Sequence, residues 1–252
     1  MRNSEIKMLY IIGLGLYDEK DISVRGMEAL KNCQKAYAEF YTNAFHGKLE
    51  NLRGEIKILS REDVEGKAAF IKEAKNKDVA FLVPGDPMAA TTHVDILLRA
   101  KKLGVETRII HSSSVFSAIG ETGLQIYKFG KTTSVVFPEK NYFPQTPYDV
   151  LKENLNAGLH TLLLLDVKAD EERYMSVGDG IGILLEIEKK RKENVFTEET
   201  MCIGAARLGG GSAIKYARAK DLADFDFGPP PHAIVVPGKL HFVEEEFLDY
   251  LK

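Results

Sequence analysis

"DVAFLVPGDPMAATTHVDILLRAKKLG", residues 78–104, contains a whole strand, turn and helix. The unbroken apolar run "DVAFLV" (78–83) is what a strand buried on both faces requires, and Pro84-Gly85-Asp86-Pro87 stops it at its carboxyl end. Val94, Leu97, Leu98 and Lys101 then recur at helical spacing within a helix expected near 91–103, and Gly104 closes it. A doubly buried strand leading straight into a helix is the start of a βαβ crossover. The segment therefore sets the fold class as α/β with parallel strands.

Working outward, the same rhythm predicts strands at "MLYIIGL" (8–14), "KAYAEFY" (35–41), "IKILS" (56–60) and "ETRIIH" (106–111), with helices near 21–33 and 62–76. These elements make one doubly wound domain over residues 1–112. "SSSVFSAIGETGLQIYKFGKTT" (112–133) breaks the rhythm with Ser, Gly and Thr, which puts the domain junction at its start. A second α/β domain, 113–252, follows with strands expected at 132–137, 160–167, 200–208, 213–219 and 232–238 and helices near 148–157, 176–193 and 241–251. Its strands are closer together and less regular, so a mixed sheet is expected.

A chain of 252 residues that is 44% hydrophobic can bury a large core. Its 34 Lys+Arg against 37 Asp+Glu give no global signal for nucleic acid. Cys33 and Cys202 lie far apart without metal-type spacing, which fits a reducing compartment and two small core residues. "MRNSEIKMLYIIGLGL" (1–16) reads as the lead into a buried first strand and not as a signal peptide, and no apolar run approaches the ~20 residues of a membrane helix. The expectation is a cytoplasmic protein with neither a membrane nor a nucleic-acid partner.

Several loops offer site chemistry, each beside a plainer reading. "IIGLGLYDEKDIS" (11–23) begins like a dinucleotide fingerprint but has Asp18 where a third small residue is needed, and Glu39 imitates a ribose-binding acid without rescuing the pattern; a tight turn explains Gly13 and Gly15 equally well. In the GDP turn, Gly85 admits a ligand to the backbone and Asp86 offers fixed acceptors, the alternative being a helix-capping role for Asp86 or Thr91. "HSSSVFSAIG" (111–120) supplies hydroxyls and amides to a ligand or to a helix start, and Asp166 ends the buried run "LLLL" (162–165). "RLGGGSA" (207–213) lacks the Lys-Ser/Thr pair of a phosphate loop and reads as a bend between strands. His232 follows three prolines at a strand start, where a packed ring is the commoner role. "KKRKEN" (189–194) suits a helix carboxyl end. His93, His111, His160 and His241 show no ligand spacing, so no metal is assigned, and no nucleophile motif occurs.

"LYIIGLGLYDEKDISVRGMEAL", "AEFYT", "LSREDVE", "VAFLVPGDPMAATTH", "GLQIYKFGKTTSVVFPE", "YDVLKENLNAGLHTLLLLDVKA" and "GPPPHAIVVPGKLHFVEEEFL" closely resemble the diphthine synthases, from about residue 9 to the carboxyl terminus. These are class III, tetrapyrrole-methylase-like methyltransferases of diphthamide biosynthesis. The resemblance implies two α/β domains with S-adenosyl-L-methionine in the cleft between them, S-adenosyl-L-homocysteine as product, no metal, and a homodimer. By matched position it implies cofactor contacts from Leu16, Asp86, Ala89, Ser114, Val115, Leu165, Leu208 and His232, of which Ala89 and Leu208 depart in side chain from the family's pattern and Leu208 lies in the least well matched stretch.

The resemblance also implies the substrate, a histidine of translation elongation factor 2 that carries a 3-amino-3-carboxypropyl group and is methylated repeatedly on its amino group. In-line placement and desolvation of a neutral amine would supply the acceleration, with Asp166 or His232 as candidate assistants. Tyr127, Tyr142, Phe143 and Tyr174 are candidate walls for the growing ammonium. The rival readings are a uroporphyrinogen C-methyltransferase of the same class and a non-catalytic S-adenosylmethionine-binding regulator.

Overall fold

The computed structural model describes residues 7–41 and 43–252, so the reading of residues 1–6 lies outside the described residues. The chain divides into two compact units, Met1–Phe116 and Ser117–Lys252, with the boundary slightly beyond the expected 112/113.

In the first unit β1 (Met8–Gly13), β2 (Lys35–Ala38), β3 (Lys57–Ile58), β4 (Val79–Val83) and β5 (Glu106–Ile110) form one sheet in the order β3-β2-β4-β1-β5. Every pairing is parallel. Helices cover both faces, as two-sided burial of the strands demands. α1 (Val24–Asn32) places Leu30 with Ile12, Leu14, Ala38 and Leu82 on one face. α2 (Ala69–Glu73) and α3 (Val94–Lys102) place Phe70, Ile71, Ile96 and Ala100 against Leu9, Ile11 and Phe81 on the other. The chain leaves β2 for β3 and leaves β4 for β5, in opposite directions, so the topological switch lies between the carboxyl ends of β2 and β4.

The helix expected over 62–76 is instead two pieces. A wide π-type turn over Glu62–Lys67 ends at Ala68, whose φ of 43° is left-handed, and α2 restarts after it. The cause lies on another helix. The Arg99 guanidinium donates to the carbonyls of Val64 (3.0 Å), Glu65 (2.9 Å) and Gly66 (2.7 Å), satisfying acceptors that a continuous helix would have used itself.

The second unit opens in α4 (Val115–Ala118), whose first two residues belong to the first. Its sheet runs β11-β10-β12-β7-β6, built from β6 (Thr133–Val135), β7 (Thr161–Leu165), β10 (Met201–Ala206), β11 (Ala213–Arg218) and β12 (His232–Val236). β6 and β7 are parallel and the other pairs antiparallel, which is the mixed sheet expected. β8 (Val167–Lys168) and β9 (Arg173–Tyr174) form a small hairpin beside it. α5 (Thr146–Asn156), α6 (Val177–Arg191), α7 (Ala219–Ala223) and α8 (Phe242–Asp249) complete the unit. Ser176 and Asp179 make a reciprocal capping box that starts α6, and Lys189, Lys190 and Arg191 end it. Gly180 lets α6 lie close on the sheet, since a Cβ there would stand 2.8 Å from Leu165 and 2.9 Å from Ile234. α4, α7 and the β8–β9 hairpin are too short to show a sequence period. Cys33 and Cys202 are free and buried.

Candidate functional site

β4, β1 and β5 are neighbours, and the register sets Gly13 beside Val83 and Ile12 beside Ile110, so three loops leave one edge together. The first two are joined by backbone. Gly15 N–H donates to the Gly85 carbonyl (3.2 Å) and Gly85 N–H to the Gly15 carbonyl (2.7 Å). Both glycines have positive φ, 87° and 71°. A Cβ on Gly13 would lie 2.6 Å from the Gly85 carbonyl and 2.8 Å from Ser112 Cβ, so the convergence needs a glycine there. Close packing of the loops thus accounts for Gly13, and a left-handed turn for Gly15. Gly85 differs, because nothing lies within 4 Å of the position its Cβ would take. Open space over a left-handed glycine lets a ligand reach the backbone.

Gly13→Ala is expected to destabilise the protein by about 1–3 kcal/mol through overpacking where the loops meet. A urea midpoint equal to the wild type would show that the loops yield without cost.

Asp86 ties the third loop to the second. Its Oδ1 accepts from Met88 N–H (2.9 Å), and its Oδ2 accepts from Ser112 N–H (3.1 Å) and faces His111 Nδ1 at 2.8 Å. A carboxylate offers about four lone-pair positions, so most of this one serves the protein itself. Ser112 Oγ in turn donates to the Asp21 carbonyl (3.1 Å), and Asp21 Oδ2 accepts from Tyr17 N–H (2.8 Å). Leu16 sits half-buried in the first of these loops. Ala89, whose N–H donates to the Asp86 carbonyl (3.1 Å), closes the GDP turn, followed by Ala90 at a left-handed φ of 55°. Ser114 is buried and Val115 begins α4. Thr91 does not cap α3: its Oγ1 accepts from His93 N–H (3.3 Å) ahead of the helix, and the N-cap is His93, with no side-chain cap bond.

In the second unit, β12 runs antiparallel to β7 and β10, with Ala233 opposite Leu164 and His232 opposite Ala206. Leu165, Leu208 and His232 therefore gather at one edge of that sheet, the two leucines buried and the histidine half-buried. His232 Nε2 donates to the Gly228 carbonyl (2.9 Å), which makes Nδ1 an acceptor in the neutral ring; Nδ1 is buried with no hydrogen-bond partner. Burial holds the His232 pKa below its ordinary value, in keeping with a neutral ring.

Other candidates have structural tasks. Asp166 Oδ2 accepts from Phe137 N–H (3.0 Å). The Phe143 ring already carries the Lys190 ammonium 3.7 Å from its centroid, while Tyr127 and Tyr142 are exposed. The glycine run is the β10–β11 bend, with Gly209 N–H and Ser212 Oγ both donating to the Glu121 carboxylate, at 3.0 and 2.6 Å. Among the described residues no group of three or more His, Cys, Asp or Glu could hold a metal. Motif reading missed the His111–Asp86 contact and a buried pair of Glu39 and His93, because both join residues far apart in sequence.

The family model described as Tetrapyrrole (Corrin/Porphyrin) Methylases matches residues 8–209. A diphthine synthase of Methanococcus maripaludis is 53% identical over 251 residues, covering 97% of this chain and 98% of that protein. The diphthine synthase of Methanocaldococcus jannaschii is 52% identical over 253 residues, with the same coverage. Among solved structures, one from Entamoeba histolytica superposes with a TM-score of 0.91 at 42% identity, covering 98% of each chain. A crystal structure of diphthine synthase gives a TM-score of 0.87 at 38% identity, covering 97% of this chain and 95% of that one. These relatives do not favour the uroporphyrinogen methylase or a non-catalytic role. With the family model spanning most of the chain and full-length relatives above half identity, the chain belongs to the tetrapyrrole methylase family and, within it, to the diphthine synthases, methyltransferases of diphthamide biosynthesis.

Proposed function

We propose that the chain uses S-adenosyl-L-methionine to methylate, repeatedly, the amino group of the 3-amino-3-carboxypropyl-histidine of translation elongation factor 2, giving diphthine. The observation that carries this reading is the GDP turn, where a loop cluster fixed by Asp86 leaves open space over Gly85. In the first unit Leu16, Asp86, Ala89, Ser114 and Val115 would hold the cofactor, and in the second Leu165, Leu208 and His232. The donor set fits such a group. The buried, unpartnered Nδ1 of His232 is an acceptor suited to an adenine amino group, and the GDP loop exposes backbone to polar atoms. When bound, the cofactor supplies a methyl group on a sulfonium centre.

The residues' part is to bind, orient and exclude water. Asp166 uses one lone pair for Phe137 N–H, and no strong base is essential, since the acceptor amine can lose its proton to water. We further place the protein in the cytoplasm as a homodimer acting on this one protein substrate. Among the described residues no helix is long and apolar enough to cross a membrane.

The test is mass spectrometry of elongation factor 2 bearing the aminocarboxypropyl-histidine, after incubation with this protein and methyl-labelled S-adenosylmethionine. Successive methyl increments on that one peptide are expected. Their absence, with cofactor binding verified by calorimetry, would overturn the acceptor and leave the cofactor assignment standing.

A further inference from the structure

The loop that delivers His232 is held by one side chain from the neighbouring strand. Arg207 follows β10, and its N–H donates to the Pro231 carbonyl (3.0 Å) just ahead of β12. Its guanidinium folds back over the same loop, where Nη1 donates to the carbonyls of Phe227 (2.6 Å) and Pro229 (2.7 Å). The carbonyl between them, that of Gly228, is left to His232 Nε2 (2.9 Å). Gly228 has a left-handed φ of 74°, its N–H donates to Asp226 Oδ1 (2.7 Å), and a Cβ there would stand 3.0 Å from Arg207 Nη1. The backbone of Arg207 is left-handed as well, at φ 49°, where glycine would be the easier residue. The arginine offers what glycine lacks, a charged donor. Pro229, Pro230 and Pro231 have no N–H, so donors that hold this stretch must come from other residues.

This division of the carbonyls fixes what the ring presents. Nε2 keeps its hydrogen while it faces an acceptor, so the buried, unpartnered Nδ1 of a neutral ring can only accept from a ligand. The amino group of a 6-aminopurine donates to such an atom. The oxygen of a 6-oxopurine would set two lone pairs against each other. A ring released from the Gly228 carbonyl could take the other tautomer, whose Nδ1–H suits the oxo group instead. Around the imidazole stand the Phe227 ring, edge-on at 6.1 Å between centroids, the Gly228 and Pro229 carbonyls, the Asp226 carboxylate and the Arg207 guanidinium. Burial above all, and then the Arg207 charge, opposes a second proton on the ring against the pull of the two carbonyls and Asp226.

We infer that Arg207 is the positioning residue of His232: by holding the carbonyls on either side of Gly228 it fixes the imidazole in one tautomer, and so makes the site select a 6-aminopurine over a 6-oxopurine. This role rests on the cofactor reading given above.

The test uses the full chain with two calorimetric probes, S-adenosylhomocysteine and S-inosylhomocysteine, in which an oxo group replaces the purine amino group. The wild type is expected to bind the adenosyl compound about 100-fold more tightly. Arg207→Met, which keeps the stem but has no donor, is expected to weaken adenosyl binding about tenfold and inosyl binding by less than about twofold, so the preference shrinks. A purely structural loosening would weaken both probes alike. In a His232→Phe background the Arg207 substitution is expected to change neither affinity, because the group it acts through is gone. Nitrogen NMR of the wild-type His232 ring should show hydrogen on Nε2 alone, and this needs no substitution: a hydrogen on Nδ1 would overturn the inference whether or not the variant folds. An unchanged preference in Arg207→Met, or a loss that persists in full without His232, would overturn the positioning role and leave the cofactor reading standing. A wild type that binds both probes equally would overturn the selectivity, and one that binds neither would overturn the cofactor reading itself.

Discussion

Asp86→Asn is expected to weaken S-adenosylhomocysteine binding by about 10- to 100-fold, which corresponds to one or two lost charge-assisted hydrogen bonds. The asparagine oxygen can still accept from Met88 N–H where Oδ1 does now. Its amide would then face Ser112 N–H, a donor that cannot change its role, and the bond across which the GDP loop holds the β5 loop is lost. His111 can answer by changing tautomer; the backbone cannot. Because Asp86 lies outside both core clusters of the first unit, far-UV circular dichroism should be unchanged. Titration calorimetry at constant salt measures the effect. Equal affinity in mutant and wild type would mean that the bond between the loops does not shape the cofactor site.

This expectation differs from what the GDP motif alone suggests. Read as sequence, Asp86 is an acceptor for a ligand. In three dimensions most of its lone pairs are used within the protein, so it acts mainly by fixing the loop that presents Gly85. The apolar runs and their glycine and proline stops were enough to give both sheets, because burial on both faces leaves a local trace: "VAFLV" is fully buried, as its composition requires. Contacts between residues distant in sequence leave no such trace. Nothing in "REDVEGKAAF" (61–70) announces that Arg99 will take three of its carbonyls and divide the helix. Glu39 was visible as an acid at a strand end and His93 as a lone histidine, yet only the parallel register of β2 and β4 brings them together.

The same limit applies to Glu244, where the largest stability effect is expected. In the sequence it is one of three consecutive glutamates near the start of an expected helix; in the structure it is fully buried. Its carboxylate accepts from His241 N–H (2.7 Å), Gln125 N–H (2.9 Å), His160 Nε2 (3.1 Å) and the Lys128 ammonium. His160 cannot turn away, since its Nδ1 accepts from Gly238 N–H (2.9 Å). Glu244→Ala would strand these donors, a partly buried ammonium among them, and should destabilise the second unit by about 3–5 kcal/mol. In a chain of this size that is on the order of 10 °C in Tm.

The pH dependence has a definite sign. Burial works against ionisation of Glu244, but the bonds from Lys128, Gln125, His241 and His160 outweigh it and carry its pKa from 4.5 down to about 2. A carboxylate held lower in the folded state contributes stability above its unfolded pKa and loses it as pH falls through the folded one. The loss therefore falls between about 4.5 and 2, a window shared with Glu188, which four donors also hold at about 2. Glu244→Gln cannot titrate, so urea midpoints measured across that window should fall less steeply with acid than in the wild type, with the Glu188 share remaining. An unchanged slope would mean that Glu244 is no better held in the folded chain than in the unfolded one, and the large loss expected of Glu244→Ala would then have no electrostatic source.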